Sequence, residues 1–145
     1  MTVADLDLSA RFYEAVVGLQ PAYRLDARRV AFFWIGGPGH TMLGVWEAGS
    51  SPNRLQVHLA FACDRDDVLA APTRLRTRGV EPLGFHGEPT TEAVVIGWMP
   101  ALSVFFRDPD QHLLEFIAML PDVARPDVGV VAYSEWVSLV RTAVG

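Results

Sequence analysis

The residue types able to do chemistry are few in this chain, and two of them stand out by position. His58 lies in the run Gln56-Val57-His58-Leu59-Ala60-Phe61-Ala62-Cys63 and Glu115 in His112-Leu113-Leu114-Glu115-Phe116-Ile117. If the first run is a strand, alternation divides it into a bulky apolar face (Val57, Leu59, Phe61, Cys63) and a face with Gln56, His58, Ala60 and Ala62. The small alanines beside the histidine leave the room a ligand cavity needs. A glutamate set among Leu and Phe in a core strand needs a cation or a strong hydrogen-bond donor to offset its desolvation. One imidazole and one carboxylate together are two ligands for a hard or borderline divalent metal.

Little else competes for a catalytic role. All 12 basic residues are Arg, which excludes the P-loop lysine and any amine nucleophile, and leaves four His, seven Glu and ten Asp as acid–base candidates. None of these identifies itself as a catalytic base. Cys63 is the only cysteine, so no intrachain disulfide or Cys-based zinc knuckle can form; its expected role is a small buried apolar residue. A net charge of −5 without a dense basic stretch argues against nucleic acid and for a small-molecule partner. No apolar run reaches the roughly 18–20 residues a bilayer span requires, so no membrane partner is expected. With no signal-like N-terminus and one thiol, a cytoplasmic location is expected.

The elements that would position His58 and Glu115 follow a repeat of about 60 residues. After a short hydrophobic opening, Met1 to Ala4, the spacing predicts a helix over Asp7 to Val17. Leu8, Phe12, Ala15 and Val16 form its face, Asp5 or Asp7 its cap, and Gly18 its stop. Strands are expected at Gln20 to Leu25, Arg29 to Ile35 and Thr41 to Glu47. Beyond a polar linker around Gly49-Ser50-Ser51-Pro52-Asn53 the order recurs. It runs strand Leu55 to Cys63, helix Asp66 to Arg78, strand Val80 to Phe85, and the hairpin Leu102 to Arg107 with His112 to Met119. Pro72 inside the second helix predicts a kink or a late start. Phe32-Phe33, turn, His40 matches Phe105-Phe106, turn, His112, and this register sets Leu43 opposite Glu115. By parity His40 and His112 face away from the site in structural roles, Glu47 is a solvated strand-end residue, and His86 sits in a loop. Thr90 to Pro100 reads as an apolar loop, either a lid or a packed connection. Residues 119–145 read as a helical packing appendage, with a helix from Ser134 carrying Trp136.

The residues Asp5-Leu6-Asp7-Leu8-Ser9-Ala10-Arg11-Phe12-Tyr13-Glu14 through Gly18-Leu19, then His58-Leu59-Ala60-Phe61, then Phe106-Arg107-Asp108-Pro109-Asp110 with His112-Leu113-Leu114-Glu115-Phe116 carry a resemblance. Together they resemble the vicinal oxygen chelate superfamily of glyoxalase, bleomycin resistance protein and extradiol dioxygenase. The resemblance implies an α+β fold over 1–118, with modules 1–48 and 55–118, each βαβββ, forming an eight-stranded cup. It also implies a homodimer, and a divalent metal ion (Zn, Mn, Ni or Fe) held at His58 and Glu115. The family's first ligand, a His or Gln, would fall two or three residues before Met1, and Leu43 cannot supply the fourth ligand usual in glyoxalase I. Two functions are therefore expected to compete. One is a metal-dependent enzyme on a small oxygenated substrate, of lyase, transferase or dioxygenase type. The other is a metal-free protein that sequesters a drug or other small molecule between Trp34, Trp46, Trp98 or Phe105.

Overall fold

A computed structural model describes residues 1–48 and 55–142; the linker expected at 49–53 lies outside the described residues. The fold is α+β, with two mixed sheets and their helices. A first unit comprises the described residues of Met1–Val57 with Asp108–His112, and a second those of His58–Arg107 with Leu113–Gly145.

The first unit runs β1 (Thr2–Val3), α1 (Leu6–Phe12), β2 (Gln20–Leu25), β3 (Val30–Ile35) and β4 (Thr41–Glu47), in sheet order β1-β4-β3-β2. β1 lies parallel to β4 and the other pairs are antiparallel, so the unit is one βαβββ module. Asp5 begins α1: its carboxylate accepts from the Leu8 N–H at 2.8 Å, satisfying one of the donors a helix start leaves free. After Phe12 the helix widens into a π-turn over Tyr13–Val17, and Gly18 at φ 82° closes it in the left-handed conformation that glycine adopts without steric cost. The buried face of α1 differs from the expected one. Leu6, Ser9, Ala10 and Tyr13 face the sheet while Leu8 is exposed. Both sets have helical period, and the buried hydroxyl of Tyr13 decides between them by donating to Asp108 Oδ2 at 3.0 Å.

The second unit repeats the order with β5 (His58–Ala62), α2 (Arg65–Thr77), β6 (Val94–Ile96), β7 (Ala101–Arg107) and β8 (Leu113–Met119), then adds β9 (Val130–Ala132) and α3 (Tyr133–Thr142). Its sheet order is β5-β8-β7-β6-β9, with β5 parallel to β8 and the rest antiparallel. α2 passes through the buried Pro72 without a late start, leaving that position's backbone donor absent.

Two expectations do not hold in the second unit. Val80 to Phe85 is not a strand: only Leu83 forms isolated bridges, to Pro89 and Phe105. The second strand of the module is instead Val94–Ile96, inside the segment read as a loop, and it is buried between β7 and β9. The segment Thr90 to Pro100 is thus a packed connection rather than a lid. The short run Val94-Val95-Ile96 carries no alternation because both faces are covered, which removes the signal that marks a half-buried strand. The C-terminal segment supplies the ninth strand of the fold as well as the expected helix. Trp136 anchors α3, 1% exposed, with its Nε1–H donating to Asp122 at 2.9 Å.

A candidate metal and ligand site on the five-stranded sheet

Strand pairing places His58 and Glu115 together. In the parallel β5–β8 ladder His58 pairs with Leu113 and Ala60 with Glu115, so the two side chains project from one face, one diagonal step apart. The helix side of this sheet is the other face, where Phe106 and Phe116 stack at 4.7 Å and Phe61 contacts Phe116 at 6.2 Å between ring centroids. Phe61 is buried while Ala60, Ala62 and His58 are exposed, the division that alternation predicts.

His58 Nε2 lies 3.0 Å from Glu115 Oε2. The two side chains differ sharply in setting, at 50% exposed for the imidazole and 6% for the carboxylate. Glu115 Oε1 is buried and has no hydrogen-bond partner. A buried carboxylate oxygen without a donor is the kind of atom a cation satisfies, so this pair fits two positions of a divalent site. Among the described residues no group of three or more His, Cys, Asp or Glu is arranged to hold a metal ion.

An aromatic wall leads away from the pair. Phe105, the cross-strand partner of Glu115, has its ring centroid 6.0 Å from that of His58. Phe85 packs edge-on against Phe105 at 6.0 Å, and Trp98 edge-on against Phe85 at 5.6 Å. Behind them Val94, Ile96, Ala101 and Phe105 form a buried apolar cluster. Trp98 and Phe105 are two of the four aromatic residues that the sequence offers as candidate ligand contacts. Phe85 is not among them, because only the loop that Leu83 ties to β7 brings it there.

Among the remaining candidates, His112 and Glu47 have structural roles. His112 is 2% exposed: Nδ1 accepts from the Val57 N–H at 3.2 Å and Nε2 lies 3.0 Å from the Thr2 carbonyl oxygen. With Nδ1 accepting, Nε2 carries the proton and donates, which fixes a neutral tautomer. Glu47 is not merely solvated. It accepts from the Leu6 N–H at 3.0 Å and pairs with Arg29, and these donors hold its carboxyl below the usual range. His40 is exposed in the turn before β4, and His86 meets Phe85 edge-on. Burial pushes the Cys63 thiol up, away from thiolate reactivity.

The module-one counterpart of Glu115 is Gly44 rather than the expected Leu43. Phe32 pairs with Gly44 and Phe33 with Leu43, whereas Phe105 pairs with Glu115 and Phe106 with Leu114. Matching the phenylalanines therefore aligns Gly44, not Leu43, with Glu115. The first hairpin is one cross-strand pair longer, so counting from His40 slips by one residue and changes face. Trp34 and Trp46 lie on this first sheet. The Trp46 indole covers Gly44, where an added Cβ would come within 2.4 Å of the ring. No ligand side chain exists at that counterpart position.

Comparison with known proteins agrees with this architecture. No curated protein matches the chain. Among solved structures, an integron cassette protein from the mobile metagenome of the Halifax Harbour sewage outfall shares 28% identity at a TM-score of 0.68, covering 82% of this chain and 93% of that one. The fosfomycin resistance protein FosX from Listeria monocytogenes shares 24% identity at a TM-score of 0.62, covering 83% and 89% respectively. Lactoylglutathione lyase from Agrobacterium tumefaciens shares 24% at a TM-score of 0.60, covering 81% and 88%. The family model described as Glyoxalase/Bleomycin resistance protein/Dioxygenase superfamily matches residues 1–116. With its two βαβββ modules and this match over most of its length, the chain belongs to that superfamily.

Proposed function

We propose that the protein is a metal-dependent enzyme acting on a small oxygenated substrate, with His58 and Glu115 holding a divalent ion (Zn, Mn, Ni or Fe). The observation that carries this reading is Glu115: buried, facing an imidazole at 3.0 Å, and with its other oxygen unpartnered. When bound, such an ion supplies Lewis acidity to adjacent substrate oxygens. The chain's own residues do the rest. Glu115 contributes the negative charge, His58 a neutral nitrogen ligand from the half-exposed side, and Ala60 and Ala62 leave space beside them. Phe105, Phe85 and Trp98 offer an apolar wall for the substrate's carbon skeleton and exclude water from that side.

The test is titration calorimetry with Zn²⁺, Mn²⁺, Ni²⁺ and Fe²⁺. Two protein ligands hold an ion weakly, so a low-affinity isotherm is expected for the wild type. Glu115→Ala, which deletes the only anionic ligand, should weaken it at least about tenfold, or ~1.4 kcal/mol. Absence of heat above background for all four ions removes the enzyme reading.

A second reading is favoured by the aromatic wall itself: a metal-free protein sequestering an apolar or aromatic small molecule against Phe105, Phe85 and Trp98. Quenching of Trp98 fluorescence by such a ligand, unchanged in Glu115→Ala, would support it.

A homodimer accompanies either reading. Tyr23, Met42 and Trp46 expose large apolar surface on the first sheet, whose edge strands β1 and β2 are free to pair within the described residues. Light scattering at micromolar concentration should give about twice the 15.9 kDa of one chain. A value equal to one chain would overturn this expectation.

A further inference from the structure

Ser103 sits in the middle of β7 among apolar neighbours, fully buried, and its hydroxyl has no hydrogen-bond partner. Among the described residues only one other buried side-chain atom shares that condition, and it is Glu115 Oε1. The sheet register relates the two. Ser103 pairs with Ile117 and Phe105 with Glu115, so Ser103 and Glu115 project from the same face as diagonal neighbours, a separation of roughly 7–8 Å that a long side chain spans. On the other flank His58 pairs with Leu113, again one diagonal step from Glu115. Three adjacent strands, β5, β8 and β7, thus carry His58, Glu115 and Ser103 in one diagonal row, with the carboxylate in the centre. One carboxylate oxygen is engaged by His58 and the other has no partner; of the two polar side chains of β7 diagonal to Glu115, Ser103 and Arg107, Ser103 is the buried one.

We propose that Ser103 is a positioning residue of the site: its hydroxyl is linked to Glu115 Oε1 by a hydrogen bond through one bridging water, and so fixes the carboxylate with Oε2 presented to the His58 side. A hydroxyl buried without a partner in hydrocarbon is destabilising, and so is a bare carboxylate oxygen; joining them removes both penalties at once. Carboxylates that hold ligands are oriented by such outer hydrogen bonds. The role in ion binding rests on the metal reading above; the Ser103–Glu115 hydrogen bond does not.

A double-mutant cycle in the absence of metal tests that bond. Ser103→Ala should lower the denaturation midpoint of the wild type and raise that of Glu115→Met, where the hydroxyl has lost its acceptor. Ser103→Thr, which keeps the hydroxyl, should restore the wild-type carboxylate carbon shift of Glu115 at fixed pH, whereas Ser103→Ala displaces it. If Ser103→Ala stabilises both backgrounds equally and leaves the Glu115 signal in place, the hydroxyl is a mere orphan and the proposal fails. Calorimetry provides the second arm. Ser103→Ala should weaken ion affinity about tenfold and Ser103→Thr should preserve it. A wild type that binds no ion while the cycle shows coupling sinks the metal reading and leaves the Ser103–Glu115 hydrogen bond standing. An additive cycle with intact ion binding does the reverse.

Discussion

Asp108 is buried at the head of the 108–112 turn, where Oδ1 accepts the N–H groups of Asp110 and His112 at 3.0 and 2.8 Å and Oδ2 accepts the Tyr13 hydroxyl. Desolvation outweighs these donors and raises its carboxyl above the ordinary 3.8, while the same burial, with Asp108 beside it, pushes the Tyr13 phenol far up. A raised folded value means the folded state holds the proton more tightly, so this group's contribution is full below the unfolded value and is lost as pH rises through the folded one. Asp108→Asn keeps an acceptor for the two backbone donors and cannot ionise. Its stability relative to wild type should therefore climb as pH is raised from about 3 to 7 in urea titrations, and a pH-independent difference would refute desolvation of this carboxyl as the cause. Asp108-Pro109-Asp110 was legible only as a turn. Its contact with Tyr13 spans 95 positions, and the two partners that make His112 structural, Val57 and Thr2, lie 55 and 110 positions away.

At the level of elements, the largest departure is the second strand of the second module. The sequence predicts a strand at Val80 to Phe85 there, and Val94–Ile96 occupies the place. Gly97, directly after β6, shows how tightly the replacement is fitted. Its N–H donates to the Gly129 carbonyl at 2.7 Å and its carbonyl accepts from the Arg125 N–H at 2.8 Å. A Cβ at this position would come within 2.6 Å of the Arg125 carbonyl oxygen and 2.8 Å of that of Gly129. Both obstacles are backbone, so Gly97→Ala must open the junction between β6 and the C-terminal segment, at about 1–3 kcal/mol by chemical denaturation. Wild-type stability for this variant would show that the junction yields freely. Gly44 is the contrasting case: its obstacle is the outer edge of an exposed indole, which can swing away.

Over the whole molecule, the C-terminal segment is part of the second unit's core. β9 pairs with β6 along Val130–Ala132, and Trp136 fills the interior beneath α3. Trp136→Ala removes a fully buried indole and leaves Asp122 without its donor, so a loss of about 3–5 kcal/mol is expected. Because β6 also borders the apolar cluster around Phe105, thermal melts should show the loss across the second unit rather than as fraying of α3 alone. Fluorescence of Trp98 and far-ultraviolet dichroism, followed together, should give coincident transitions; separate transitions would mean that the segment is an independent appendage. No helix among the described residues is long and apolar enough to cross a membrane.

Local chemistry in the sequence determined several features by itself. Asp5 and Gly18 bound the first helix, the β2 and β4 strands fall where alternation and turn residues put them, and the period of two along residues 56–63 sorted His58 from Phe61. It also singled out Glu115, since a carboxylate in an apolar strand needs a partner wherever the strand goes. The sequence also paired it with His58, whereas tertiary structure alone set the geometry of that pair and brought Ser103 beside it. Strand register across β5, β8 and β7 set His58 on one flank of Glu115 and Ser103 on the other, and the longer first hairpin put Gly44 rather than Leu43 at the corresponding place. The physical reason is that side-chain direction along one strand is fixed by the backbone's period, whereas the offset between strands is fixed by hairpin length and by burial on both faces, and a slip of one residue reverses the face.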